Sequence, residues 1–332
     1  MKKESKIFLA GHRGMVGSAI LRSLMAGGYG NIITRSHSEL DLTEQNEVED
    51  FFSAEKPDYV FLAAAKVGGI LANSTYPADF IYENIQIQNN VIYSAHKFDT
   101  KKLLFLGSSC IYPRNCPQPM KEEYLLTGPL EQTNEAYAVA KISGIKMCQY
   151  FHQQYGNNFI SVMPTNLYGP NDNFDPETSH VLPALIRKFH EAKKRWEQKP
   201  EADRDKVFVT IWGTGSALRE FLHVDDMADA CIFVMNKISS DYLYGCGITH
   251  LNIGTGKDIS ILDLAVLIKE IVGFRGEIQF DTDKPDGTPR KLLDVSRLSD
   301  FGWRYRIKLK KGIENTYQWY RENLGRKITI KS

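Results

Sequence analysis

The stretch KIFLAGHRGMVG, residues 6–17, decides the fold. Residues 6–10 are a short apolar run that ends in glycine, the pattern of a strand buried on both faces of a parallel sheet. Gly11, Gly14 and Gly17 follow at G-x-x-G-x-x-G spacing, one residue longer than the G-x-G-x-x-G dinucleotide fingerprint. Residues 18–26 then run at helical spacing. Strand, glycine turn and helix, in that order, bring backbone amides and the positive end of a helix to a pyrophosphate. The turn, comprising Gly11, His12, Arg13, Gly14, Met15, Val16 and Gly17, is predicted to hold that group.

The alternation continues outward. Strands are predicted over 31–34, 59–63, 102–106 and 159–163, with helices over 43–56, 77–97 and 134–155 between them. Strands separated by helices imply right-handed crossovers and an α/β, Rossmann-type doubly wound parallel sheet. Ligands of such sheets bind at the C-terminal ends of the strands. The second half is less regular. Residues 166–179, rich in Asn, Asp, Gly and Pro, read as loop. Helices are predicted over 181–195, 224–238, 261–272 and 309–323, and strands over 207–212 and 277–280. The charge-dense residues 191–206 read as a solvated surface. The expected division is a cofactor-binding domain over 1–165 and a smaller, interleaved substrate domain over 166–330. The large sheet is expected to be completed by segments near 207–212 and 250–254.

Composition narrows the function. With 332 residues, 42% of them hydrophobic, the chain can bury a large core. Lys plus Arg number 41 and Asp plus Glu 40, a net charge of +1, so no overall field draws nucleic acid or an anionic membrane. The longest apolar run, residues 59–65, is far short of the ~18 residues a spanning helix needs. MKKES leads directly into a strand rather than a signal sequence. The five cysteines include no C-x-x-C, which argues against structural zinc and a disulfide framework. A reduced, cytoplasmic, metal-free protein is expected.

Two further constellations carry chemistry. An acid at the end of strand two would accept the ribose hydroxyl of NAD. Here Arg35, Ser36 and His37 stand there, with Arg13 in the glycine turn, and cations favour the 2′-phosphate of NADP. The expected cofactor is NADPH/NADP. Tyr137 and Lys141 lie four residues apart on one helix face. A lysine ammonium beside a phenol stabilises the phenolate and lowers its pKa from about 10. Such a tyrosine exchanges a proton with a carbonyl undergoing hydride transfer. Ser108, at the end of strand four, can hydrogen-bond the same oxygen.

These residues resemble the extended, nucleotide-sugar-modifying branch of the short-chain dehydrogenase/reductase superfamily. AGHRGMVGSAI (10–20), AAAKVGGI (63–70), LGSSCIYP (106–113), MPTNLYGP (163–170), REFLHVDDMA (219–228) and KPDGTPRKLLDV (284–295) are together similar to the GDP-L-fucose synthases, over residues 6 to about 323. The resemblance implies conversion of GDP-4-keto-6-deoxy-D-mannose to GDP-L-fucose, by 3,5-epimerisation and NADPH-dependent 4-reduction in nucleotide-sugar biosynthesis. It implies that Cys110 and His180 move protons at the carbons flanking the ketone, leaving open which is acid and which base. Tyr137, Lys141 and Ser108 would serve the reduction. It places Asp41, Leu42, Ala63, Ala64, Leu106, Gly107, Ser109, Pro164, Thr165, Asn166, Leu167 and His180 around the cofactor. Lys188, Trp212, Arg219, Asp286 and Lys291 fall to the GDP-sugar, Arg219 and Lys291 as diphosphate partners. It also implies a homodimer through the 77–97 and 134–155 helices. Members commonly carry Arg at the position of His37, and residues 196–206 look like an inserted, charged segment. The competing enzyme is an NAD-retaining nucleotide-sugar 4-epimerase or 4,6-dehydratase, which needs no Cys110–His180 pair. A cofactor-sensing regulator would need only the glycine turn.

Overall fold

A computed structural model describes residues 1–175, 178–284 and 286–324. The expected end of the second domain, 325–330, lies outside them. In chain order the elements are β1 (Ile7–Ala10), α1 (Met15–Ala26), β2 (Ile32–Ile33), α2 (Gln45–Glu55), β3 (Tyr59–Leu62), α3 (Ile70–Thr75), α4 (Pro77–Lys97), β4 (Lys102–Leu106), α5 (Glu135–Tyr155), β5 (Phe159–Pro164) and β6 (Asn166–Tyr168). There follow α6 (Val181–Gln198), β7 (Phe208–Trp212), β8 (Leu218–His223), α7 (Val224–Lys237), α8 (Ser240–Gly245), β9 (Leu251–Ile253), β10 (Asp258–Ser260), α9 (Ile261–Val272), β11 (Glu277–Asp281), β12 (Arg290–Lys291), α10 (Ser296–Asp300) and α11 (Leu309–Glu322).

The main sheet is six-stranded and parallel, in the order β2-β1-β3-β4-β5-β9. Its central strands are apolar throughout because both faces are covered. Ile7, Leu9, Leu104, Ile160 and Val162 pack on the side of α1 and α7, and Phe8, Val60, Leu103, Phe105 and Phe159 on the side of α2, α4 and α5. A third core joins α6, α9 and α11 to β7 and β8, through Phe189, Ile211, Phe221, Ile268 and Ile313.

The second half meets expectation in one place and departs from it in two. Residues 250–254 supply β9, which extends the main sheet beside β5. Residues 207–212 do not join that sheet: β7 pairs with β11 in a two-stranded parallel sheet, register Phe208↔Glu277 to Trp212↔Asp281. One face of β7 is already covered by the third core through Val209 and Ile211. Residues 166–168, read as loop, form β6 and pair in parallel with β8, itself flanked by β10 and β12. The 191–206 stretch is a helix end plus an exposed 3-10 turn, Glu201–Lys206, and Arg204 stacks 4.5 Å from the Trp196 ring.

Lys102 ties β4 of the main sheet to α7. It is buried at the start of β4, and its ammonium donates to the carbonyls of Val234, Met235 and Ile238 at the end of α7. A helix leaves its last carbonyls without intrahelical partners; Val234 also accepts from the Ile238 amide, and the ammonium meets Met235 and Ile238. Lys102→Met removes the donor to those two buried carbonyls. It is expected to destabilise the protein by about 2–4 kcal/mol, read as a lower denaturation midpoint. An unchanged midpoint would show that water replaces the ammonium.

Candidate active site

The glycine turn exists because backbone must approach backbone. Gly11 leaves β1 with φ +83, and a Cβ there would lie 2.6 Å from the Ala64 amide nitrogen just past β3. A Cβ on Gly17 would lie 2.0 Å from the Gly11 carbonyl oxygen, so only glycine lets α1 start this close to the strand. Gly14 caps α1 with no side-chain hydrogen bond, leaving the helix's positive end open. His12 Nδ1 is buried without a partner, and burial, helped by Arg13, lowers this imidazole's pKa. Arg13 is exposed and makes no ion pair among the described residues.

Arg35 follows β2 with its guanidinium divided between the Thr34 carbonyl (2.9 Å) and Glu55 (2.9 Å). Ser36 gives both its amide and its hydroxyl to Glu39, at 2.7 and 2.6 Å. His37 is exposed, 3.8 Å from Asp41, whose carboxylate holds Thr43. The Leu42 carbonyl accepts from Asn90. An open helix start, a cradle that any Cβ would fill, an orphan ring nitrogen and two arginines fit a dinucleotide with an extra phosphate.

The other predicted cofactor residues lie along the same edge. Ala63 and Ala64 follow β3, Leu106 ends β4 and Pro164 ends β5. Thr165 and Asn166 both donate to the Glu220 carbonyl, and Leu167 is the middle residue of β6. Gly107 brings β4 against β5, since a Cβ there would overlap the Met163 side chain.

Ser108 is extended, and the 3-10 turn Ser109–Ile111 that follows turns Cys110 back under the strand end. The Ser108 side chain, Lys291 and Lys141 all favour the Cys110 thiolate. Burial nonetheless pushes this thiol's pKa up. Lys141 donates to the Leu106 carbonyl at 3.0 Å, and its ammonium lies 5.6 Å from the Tyr137 ring centre and 4.9 Å from that of Phe105. Burial brings Lys141 down to about 8. Tyr137 packs edge-on to Phe80 at 6.3 Å. Its phenol is raised, by burial first and by Cys110 second, the reverse of the direction expected from Lys141. Helical spacing places the ammonium near the ring, but burial sets the direction of the phenol's shift.

His180 caps the start of α6 in extended backbone. It is exposed to solvent, yet enough protein surrounds it that burial holds its imidazole below the usual range. Two turns along α6, Lys188 donates to the Thr210 carbonyl at 3.2 Å. Lys188 and Lys284 each place an ammonium 5.8 Å from the ring of Trp212, which is 63% exposed. An indole left in water between two cations is a platform for a planar ring carrying negative charge. Asp286 does not present a free carboxylate. It accepts from the Thr214 amide (2.7 Å), the Thr214 hydroxyl (2.8 Å) and the Gly215 amide (3.2 Å), fixing the turn after Trp212.

Arg219 and Lys291 are register partners on β8 and β12, and burial lowers both. Sequence reasoning passed over the residue between them and the cofactor side. Glu220 is fully buried and accepts from the amides of Thr255 (2.5 Å), Gly256 (2.7 Å) and Leu293 (2.9 Å). Its signal was present as a carboxylate inside the otherwise apolar run EFL, which a buried strand tolerates only when donors surround it.

Comparison with known proteins agrees with this geometry. Residues 7–254 match the NAD dependent epimerase/dehydratase family. The chain is 60% identical to a putative GDP-L-fucose synthase 2 of Arabidopsis thaliana, over 98% of its own length and 95% of the relative's. It is 54% identical to the GDP-L-fucose synthase of Escherichia coli (strain K12), over 97% and 98%. A GDP-mannoheptose C4 reductase from Campylobacter jejuni, solved with NADP bound, superposes with a TM-score of 0.87 at 43% identity, covering 97% of this chain and 99% of that one. On its glycine turn, its strand-end cluster and its near-complete overlap with these relatives, the chain belongs to the NAD dependent epimerase/dehydratase family and, within it, to the GDP-L-fucose synthases.

Proposed function

We propose that this chain converts GDP-4-keto-6-deoxy-D-mannose to GDP-L-fucose, inverting the carbons on either side of the ketone and then reducing it with NADPH. The observation that carries this is Cys110 set among the reducing residues: it is buried two residues past Ser108, just beyond the strand whose Leu106 carbonyl anchors Lys141. An enzyme that only recycles NAD needs Tyr137 and Lys141. A second proton carrier beside them suits a two-stage reaction.

The substrate ketone acidifies the hydrogens on its neighbouring carbons. Of Cys110 and His180, one withdraws each proton and the other returns one to the opposite face. NADPH, when bound, supplies the hydride for the ketone. Tyr137, kept neutral by burial, gives its proton to the alkoxide that forms, a stronger base than the phenolate left behind. Lys141, anchored on the Leu106 carbonyl, stabilises that phenolate, and Ser108 donates to the same oxygen. Gly11 to Gly17, Arg13 and Arg35 would hold the dinucleotide, with the expected residues from Asp41 to Leu167 around it. Trp212, Lys188 and Arg219 would receive GDP. On this reading the cofactor belongs to the 1–165 unit with β9, and the GDP-sugar to the remainder.

Mixing the purified protein with NADPH and the GDP-keto-sugar is expected to oxidise one NADPH per GDP-L-fucose formed, with NADH slower. A GDP-4-keto-heptose serves as the competing substrate, since a heptose reductase is among the relatives. Preferential turnover of the heptose, or no oxidation by folded protein, overturns the assignment. Cys110→Ser is expected to lose exchange of the flanking hydrogens with heavy water by about 10²–10⁴-fold while still binding NADPH. Tyr137→Phe should keep that exchange and lose reduction to a similar degree. Undiminished exchange in the first, or normal NADPH turnover in the second, removes the assigned role.

We further propose a cytoplasmic homodimer. No helix among the described residues is long and apolar enough to cross a membrane. Tyr82 and Tyr93 on α4, and Val139 and Tyr150 on α5, are exposed, each pair eleven residues apart and so on one helix face. A second copy would cover these faces as a four-helix bundle. Light scattering should return about twice the 37.7 kDa chain mass. A monomer would reject it.

A further inference from the structure

Lys291 has surroundings that its expected role as a diphosphate partner does not explain. It lines the same enclosed pocket as Cys110, together with Ser109, Arg114 and Glu131. Its backbone is tightly held: the next two amides donate to Gln118 Oε1 (2.8 Å) and Glu220 Oε2 (2.9 Å), and the Leu292 carbonyl accepts from Met120 (2.7 Å). Its ammonium makes no hydrogen bond or ion pair among the described residues. Arg219, beside it in register, repels it, and Arg114 occupies Glu131 at 3.3 Å.

The groups facing Cys110 are the Ser108 hydroxyl, Tyr137 and Lys141 from α5, and Lys291 from β12, with Arg219, Glu131 and Cys116 behind Lys291. Lys141 is committed to the Leu106 carbonyl and lies against the Tyr137 ring. The Lys291 ammonium holds no hydrogen bond or ion pair among the described residues, and both it and Lys141 favour the thiolate. Glu131, the carboxylate that attracts it, is taken up by Arg114; an enclosed ammonium so placed favours an anion forming beside it, and the Cys110 thiolate is such an anion.

We propose that Lys291 is a positioning residue for proton transfer, the cation that stabilises the Cys110 thiolate in the free enzyme before any diphosphate arrives. This rests on the reading of Cys110 as a proton carrier, but its test uses no substrate. Thiolate absorbance is titrated against pH as the difference between the wild type and Cys110→Ser, and repeated with Lys291→Met, Lys291→Gln and Lys291→Arg, each checked by thermal melting. Removing a cation disfavours the anion, so the Cys110 midpoint is expected to move up by about one pH unit in the Met and Gln variants. It should stay near the wild-type value in the Arg variant. An unchanged midpoint in either folded neutral variant, with only a raised KM for the GDP-sugar, overturns the proposal and returns Lys291 to the diphosphate. Failure of the enzyme to consume NADPH would refute the reaction and leave the titration readable.

Discussion

The Glu220 carboxylate is the constraint on which the cleft depends. A carboxylate at zero exposure is unfavourable by several kcal/mol unless its lone pairs are met. Here three backbone amides and the Thr255 hydroxyl meet them. The donors come from two places distant in sequence: the turn that leaves β9 of the main sheet, and the residue just beyond β12. Its own carbonyl accepts from Thr165 and Asn166, between β5 and β6. One residue thus registers the cofactor side, the β8 layer and the strand that presents Lys291. Arg219 and Phe221 on either side of it point to the opposite face of β8, where Phe221 joins the third core.

Burial then sets the chemistry. The two lysines near Cys110 differ in anchorage rather than in charge. Lys141 is pinned to a carbonyl and faces the Tyr137 ring, whereas Lys291 is positioned by its backbone and its ammonium has no hydrogen bond or ion pair among the described residues. The raised phenol is coherent with an acid that must keep its proton until an alkoxide appears. A phenol ionised at rest would have none to give.

The first half of the fold was legible because strands buried on both faces must be apolar without interruption. KIFLA, YVFLA and KLLFL leave no other reading beside the intervening helical periods. The second half was less so. β8 reads LREFLH, and its buried charge is intelligible only once Thr255, Gly256 and Leu293 are brought to it. β7 is as apolar as a central strand, yet pairs with β11, because a partner more than sixty residues away decides its sheet. The site shows the same split. Gly11, Gly17, Ser108 and Lys141 could be named from local spacing. The commitment of Asp286 to Thr214, the reversal at Tyr137 and the company Lys291 keeps are consequences of burial, which spacing does not report.

The strand-two side shows how pairing and recognition coexist. Arg35 is already ion-paired with Glu55, and the neighbouring Ser36 is occupied by Glu39, which at first reads as a site closed to phosphate. The exposures argue otherwise. Arg35 and Glu55 are about one-third exposed, 35% and 29%, and a pair in that setting is worth roughly 0–1 kcal/mol. A bidentate, charge-assisted contact to phosphate is stronger. Glu55 therefore orients the fork without withholding it, as Phe51 does from its ring face at 5.4 Å. Arg13, exposed and without an ion pair among the described residues, needs no such exchange. On the proposed reading, a phosphorylated ribose is selected by two cations with different histories: one oriented by a weak partner, the other, at the start of α1, without an ion pair among the described residues.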